Sequence, residues 1–217
     1  ENVVGMLSMD KGRLFKQIQA EFEELGYKLK YKVLNAVDYG VPQDRKRVFY
    51  VGIRKDLNKQ FVFPKPQKTK YTLYNAIWDL RETAIPALKS NKTNGENCKV
   101  LNHEYMIGGF STIYMSRNRV RSWNEPSFTI QAGGRHAPMH PQAPKMVFIE
   151  KNRREFVKGK EDLYRRLSVR ECARIQTFPD TFEFLYTDVA DAYKMIGNAV
   201  PVNLAFAVAE QLQNIFS

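Results

Sequence analysis

The sequence predicts an α/β fold in three unequal parts: the end of a sheet, a small irregular β-rich insert, and closing C-terminal helices. Three observations predict it. Residues 1–57 alternate helical and strand periodicity. Residues 58–165 turn to glycine pairs, proline-rich patches and short β-like runs, and residues 166–217 return to helical spacing. The 217 residues suffice for one large domain or a domain and a half. Hydrophobic residues make up 43%, with 14 Phe and 11 Tyr, so a sizeable core is available and wholesale disorder is disfavoured.

The elements follow in order. GRLFKQIQAEFEELGYKL places Leu14, Phe15, Ile18, Phe22 and Leu25 at helical spacing, and Gly26 supplies the stop. YKLKYKVLNAVDYGV alternates as a strand does. A turn with Pro42 follows, and RVFYVGI reads as a strand buried on both faces. FVFPKPQKTK, rich in Pro and Lys, reads as a linker, and TLYNAIWDL as one short amphipathic helix. Then come Gly108–Gly109, Gly133–Gly134, the run SFTIQA and the proline patch HAPMHPQAP. In LSVRECARIQTFP, Ser168 and Glu171 form a capping box, with Pro179 beyond the helix end. GNAVP joins a flexible glycine, Gly197, to Asn198. Pro201 suits the first turn of a last helix whose apolar positions run through Phe206 and Val208, which predicts a well-buried helix.

Charge narrows the partners. Lys and Arg number 34 against 23 Asp and Glu, a net +11 that favours a polyanion or anionic surface. No apolar run approaches membrane-spanning length, and no signal peptide is visible. Cys98 and Cys172 stand far apart without metal-ligand spacing, which fits a reduced, cytoplasmic protein without a metal site. MSRNRVRSW carries Arg117, Arg119 and Arg121 on alternate positions, one face of a strand. Between Tyr105 and Val147 only Glu125 is acidic, too few for an ion-pair ladder, so a nucleic acid is the better counterpart. Arginines two apart in a strand lie about 6.6 Å apart, roughly two base steps, and arginine grips guanine O6 and N7 bidentately.

ENV at residues 1–3, QDRKR at 43–47, RRLSVRECARIQTFPD and YKMIGNAVP, in that order, resemble the sixth, eighth, ninth and tenth motifs of the cytosine-5 DNA methyltransferase family. HEYMIGGFSTIYMSRNRVRSWNEPSFTIQAGGRHAPMHPQAP is similar to the target-recognition region of bacterial restriction-modification enzymes acting on GGCC. The resemblance covers essentially the whole chain. It implies that residues 1–57 are the tail of a Rossmann-like methyltransferase sheet, 58–165 a linker and target-recognition domain, and 166–217 a helical segment returning to the catalytic domain. The implied reaction moves a methyl group from S-adenosylmethionine to C5 of a flipped cytosine in double-stranded DNA.

The resemblance also implies roles. Glu1 matches the glutamate that contacts N3 and the amino group of the cytosine, with Asn2 orienting the local backbone. Arg47 matches the arginine holding O2, while Arg45 supports the site or the backbone phosphates. Asn198, with the Ala199 backbone beside it, matches the closure of the cofactor pocket. Arg170 and Arg174 brace the recognition domain. Arg117 and Arg119 are assigned to guanine, and Arg135 in AGGRH is a third reader, with Gly133 and Gly134 letting backbone approach the groove. Arg121 faces either a phosphate or Glu125.

The family's nucleophile is a cysteine in a Pro-Cys-Gln context, and its cofactor loop is glycine-rich; neither stands in these 217 residues. Cys98 in NGENCKV and Cys172 in RECAR lack the setting of an activated thiol. The expectation is therefore a carboxy-terminal half with an incomplete S-adenosylmethionine site, inactive alone and partnered by an N-terminal catalytic half. The alternatives are a non-catalytic, sequence-specific DNA-binding module and part of an RNA cytosine methyltransferase.

Overall fold

Strands β2 (Tyr27–Asn35) and β3 (Lys46–Arg54) pair antiparallel along their full length, and the short β1 (Asn2–Val3) joins the free edge of β3, Asn2 opposite Val48. The computed structural model describes residues 1–216. The β2–β3 connection is closed by Asn35, whose Nδ2 donates to Asp44 Oδ1 (2.9 Å) and whose Oδ1 accepts from the Arg45 backbone N–H (3.0 Å). Helix α1 (Arg13–Glu24) buries Phe15, which meets the Tyr31 ring edge-on at 4.5 Å.

The sheet core gathers Leu34, Ala36, Val41, Phe49, Val51 and Ile53 with Phe61 and two residues of the last helix, Leu204 and Val208. Each Val, Leu, Ile or Phe among them contributes roughly 1.5–3 kcal/mol when fully buried. Two expectations change here. FVFPKPQKTK is no free linker: Phe61 is buried, Lys30 Nζ donates to the Phe61 carbonyl (2.8 Å), and the Tyr39 hydroxyl donates to that of Pro64 (3.1 Å). The last helix is not buried all round. Leu204 and Val208, four apart, share the face on the sheet, whereas Phe206, about 200° round the helix from Leu204, is 67% exposed.

Helix α2 (Leu73–Ile77) starts at a Thr72–Asn75 capping box. The region beyond it is sparsely stranded: β4 (Ile85–Pro86) pairs parallel with β5 (Glu104–Tyr105), and β6 (Val147–Glu150) forms an antiparallel hairpin with β7 (Arg153–Glu155). Its own core is Tyr114, Val120, Met139, Ala143, Met146 and Tyr164. The strand expected over MSRNRVRSW does not form. Residues 114–116 make a 3-10 turn, and Val120 makes only an isolated bridge to Met139. Asn118 is the cause: its side chain donates to the Val120 carbonyl (2.7 Å) and accepts from the Met146 N–H (3.0 Å), taking over bonds a ladder would use.

Helices α3 (Val169–Ile175), α4 (Val189–Asn198) and α5 (Val202–Phe216) close the chain. The Ser168–Glu171 capping box is formed in both directions, at 2.8 and 3.0 Å. The third core packs α2, α3 and α4 around Ile130 and Ala137, so the closing helices share an interior with the middle region. Among the described residues no helix is long and apolar enough to cross a membrane.

Candidate nucleic-acid interface and base site

The β1–β3 register sets Val3 opposite Arg47, and the Glu1 side chain reaches the Arg47 guanidinium. Glu1 Oε1 lies 3.0 Å from Arg47 Nε, and both side chains are less than one fifth exposed. Arg47 also donates from Nη1 to the Lys46 carbonyl (2.9 Å). Burial lowers the Arg47 pKa, and the Glu1 carboxylate opposes that shift.

Arg45, two residues earlier, precedes β3 and is enclosed by the fold. It is 1% exposed, donating from Nη1 to the Ile130 carbonyl (2.9 Å) and from Nη2 to those of Gly197 (2.9 Å) and Ala199 (3.1 Å). Burial, then Arg47, pushes its pKa down to about 10, which leaves it protonated at neutral pH. A guanidinium so enclosed does not reach the backbone phosphates; it braces three segments of the fold.

Those segments meet in one joint. The fully buried Gln43 accepts from the Ile130 N–H (3.1 Å), Asp44 N–H donates to the Ser127 carbonyl (2.9 Å), and Thr129 Oγ1 donates to that of Asp44 (2.6 Å). Gly197 lies against the same stretch: a Cβ there would stand 2.3 Å from the Gln131 carbonyl. Gly197 is helical and needed for close approach, not for flexibility. Gly134 is similar, since a Cβ would meet Met106 Sδ at 2.6 Å and Tyr193 Cδ2 at 2.7 Å. Its missing side chain thus serves interior packing rather than approach to a groove.

Asn198 is exposed, and its amide makes no hydrogen bond among the described residues. Ala199 is different: its N–H is bonded to Met195 and Ile196 carbonyls (3.2 Å each) and its own carbonyl accepts from Arg45. For a nucleoside cofactor, Asn198 therefore offers a hydrogen-bonding group and Ala199 only a wall.

The arginines of MSRNRVRSW separate. Arg117 is exposed and unpaired among the described residues, as is Arg135. Arg119 is half-engaged: Nε donates to the Tyr114 carbonyl (2.8 Å), Nη2 to that of Ile113 (3.2 Å), and the guanidinium lies 4.7 Å from the Tyr114 ring. Arg121 pairs with Glu125 (3.0 Å) and covers the Phe128 ring at 4.2 Å. Glu125 also accepts from Ser122 N–H and Oγ and approaches Lys145 (3.3 Å); these bonds, the Ser122 backbone first, hold its carboxyl down to about 2. Arg117, Arg119, Phe128, Gln131, His136 and Pro138 share one cleft of about 220 Å³.

Sequence reasoning missed a buried polar cluster around Glu171. Arg165 grips the fully buried Glu171 bidentately (2.7 and 2.8 Å), and His140 Nε2 lies 3.4 Å from the same carboxylate. Burial would raise the Glu171 pKa, but Arg165 prevails and holds it at about 2. Burial pushes His140 down to about 4, so it is neutral at pH 7 and makes no ion pair there. Arg166 donates to the carbonyls of Gly108 (3.0 Å) and Gly109 (2.8 Å), fixing that glycine pair. The only signal was the charge of Arg165 and Arg166 beside the capping box. Arg170 donates to Leu101, Pro179 and Phe182 carbonyls, and Arg174 to Asp79 and Asp180. Burial pushes up the thiols of Cys98 and, more strongly, of Cys172, so neither is an activated nucleophile. Among the described residues no cluster of three or more His, Cys, Asp or Glu forms a metal site.

Comparison with known proteins adds to this geometry. Residues 1–214 match the family described as C-5 cytosine-specific DNA methylase. The chain is 58% identical over 216 residues to the type II methyltransferase M.FnuDI of Fusobacterium nucleatum, spanning 98% of this chain and 63% of the relative. It is 60% identical over 213 residues to M.MthTI of Methanothermobacter thermautotrophicus, spanning 98% and 64%. It therefore spans just under two thirds of the length of these relatives. In structure it is similar to a prophage-encoded candidate DNA modification methyltransferase from E. coli, with TM-score 0.67, 18% identity, and 99% of this chain and 68% of that one covered. The methyltransferase EhMeth of Entamoeba histolytica matches 96% of this chain and 60% of its own at TM-score 0.58 and 15% identity. At these identities the two structures speak to the fold alone.

Proposed function

The chain belongs to the C-5 cytosine-specific DNA methylase family, and we propose on that premise that it is the base-holding, DNA-reading and cofactor-closing part of a DNA cytosine-5 methyltransferase acting on GGCC. The observation that carries the reading is the Glu1–Arg47 pair. A flipped cytosine presents an amino donor at N4 and acceptors at N3 and O2. A carboxyl group accepts from N4 and, once protonated, donates to N3, while the guanidinium donates to O2. The two side chains hold each other until a base replaces that contact. Charge building on the ring during attack at C6 is then stabilised by the proton on Glu1.

Arg45 positions this site without touching the base, through its bonds to Ile130, Gly197 and Ala199. Arg117 and Arg135 read guanine with free guanidiniums, and Arg119 reads with Nη1 while its other nitrogens anchor it. Arg121, paired with Glu125, supports the cleft wall rather than a base. Asn198 would hold S-adenosylmethionine through its free amide beside Ala199; the cofactor supplies the methyl group when bound. The thiolate comes from neither Cys98 nor Cys172, and we place it on a segment carrying Pro-Cys-Gln outside these 217 residues, within the length by which the relatives exceed this chain. The chain alone then transfers no methyl group.

The test combines the chain with such a segment and follows methyl transfer from labelled S-adenosylmethionine to a GGCC duplex. Transfer is expected only from the combination, and Glu1→Gln should lower its rate by about 10²–10⁴-fold. A folded combination that transfers nothing to duplex DNA, or transfers to tRNA instead, sinks the proposal.

A further inference from the structure

Gln131 and His136 line the cleft that Arg117 borders, beside Phe128 and Pro138. Both are exposed, and neither side chain makes a hydrogen bond to an acid or a carbonyl among the described residues. Free polar side chains are ordinary on a surface; what distinguishes these two is the rigidity of the backbone beneath them.

Gln131 follows Ile130, whose N–H is held by Gln43 and whose carbonyl is held by Arg45. Its own carbonyl accepts from the Gly133 N–H at 2.8 Å, and the backbone of Gly197 seals it from behind. His136 ends the short turn Gly134–His136, its N–H donating to the Gly133 carbonyl at 3.0 Å. That turn is held against Tyr193 and Met106 by the absent Cβ of Gly134. Two exposed side chains thus stand on backbone held by hydrogen bonds and close packing, the arrangement that lets a contact discriminate rather than adapt.

We infer that Gln131 and His136 are specificity-determining residues that read the base edges next to the guanine held by Arg117. The chemistry matches a G·C-only major groove. Guanine shows acceptors at O6 and N7, which an imidazole N–H can serve, and cytosine shows an N4 donor, which the Gln131 amide oxygen can accept. The inference rests on the proposed reading of duplex DNA through Arg117.

The experiment measures binding of the full 217-residue chain, by fluorescence anisotropy, to a GGCC duplex and to a scrambled duplex. Arg117→Ala, Gln131→Ala and His136→Ala are compared with the parent, and all three should melt as it does because the side chains are exposed. Each of Gln131→Ala and His136→Ala should cut the ratio of specific to scrambled affinity by roughly tenfold. If Arg117→Ala lowers the ratio while the other two leave it unchanged, this inference is overturned and the DNA reading stands. Equal losses on both duplexes would make the two residues backbone contacts and also overturn it. If no variant changes the ratio, or the parent shows no preference, the reading itself falls and the inference with it.

Discussion

A guanidinium cut off from water must find its acceptors in the fold, and Arg45 finds three carbonyls from two distant segments. Charge-assisted bonds of this kind contribute about 1.5–3 kcal/mol each, and stranded buried carbonyls cost more than exposed ones. Arg45→Ala should therefore lower the unfolding free energy by roughly 3 kcal/mol or more, measured by urea denaturation, with Arg45→Lys recovering only part. A loss under about 1 kcal/mol would mean the three bonds are not the brace described here. The alternation of QDRKR predicts Gln43, Arg45 and Arg47 on one face. It could not say that this face turns inward at Gln43 and Arg45, because charge alone argues for water, and only the waiting carbonyls reverse that.

Local chemistry also decides how well each element can be anticipated. The Ser168–Glu171 cap spans four residues, needs no distant partner, and forms as its spacing predicts. The arginine strand failed for an equally local reason that the alternation concealed, since the Asn118 side chain bonds to the backbone of Val120, two residues on. Helix α4 supplies the test at this scale. Gly→Ala inside a helix ordinarily stabilises by about 0.5–1 kcal/mol. At Gly197 the new methyl would meet backbone of Gln131 at 2.3 Å and of Ala132 at 2.4 Å, atoms that cannot swing aside. Gly197→Ala should instead lower the melting temperature by roughly 3–10 °C in thermal denaturation. A rise in melting temperature would show that the helix and the 130–132 stretch are not in close register.

For the molecule as a whole, the buried cluster around Glu171 ties stability to pH. Folded Glu171 holds its proton only below about 2, against 4.5 for an ordinary carboxyl, so the stability it contributes above 4.5 is lost as pH falls towards 2. His140 is neutral in the fold down to about 4 but takes up a proton near 6.5 when unfolded, so acidification from 6.5 to 4 also favours unfolding. Denaturation midpoints should fall steadily below pH 6.5, and His140→Gln should flatten the decline between 6.5 and 4. Superimposable pH profiles for variant and parent would rule His140 out as a source. The net charge of +11 adds self-repulsion in the same direction. By itself the sequence determined the α/β class, the helix caps, the basic character and the ordered motifs that mark the family, because each is written in neighbouring residues or in composition. Only the tertiary structure decided which arginines are free. It engaged Arg45 with carbonyls, Arg119 with its own turn and Arg121 with Glu125, left Arg117 open in the cleft with Gln131 and His136, and left Arg135 exposed. The physical reason is that a charged side chain is assigned by its nearest acceptor in space, and for Arg45 that acceptor lies 85 and 152 residues away along the chain.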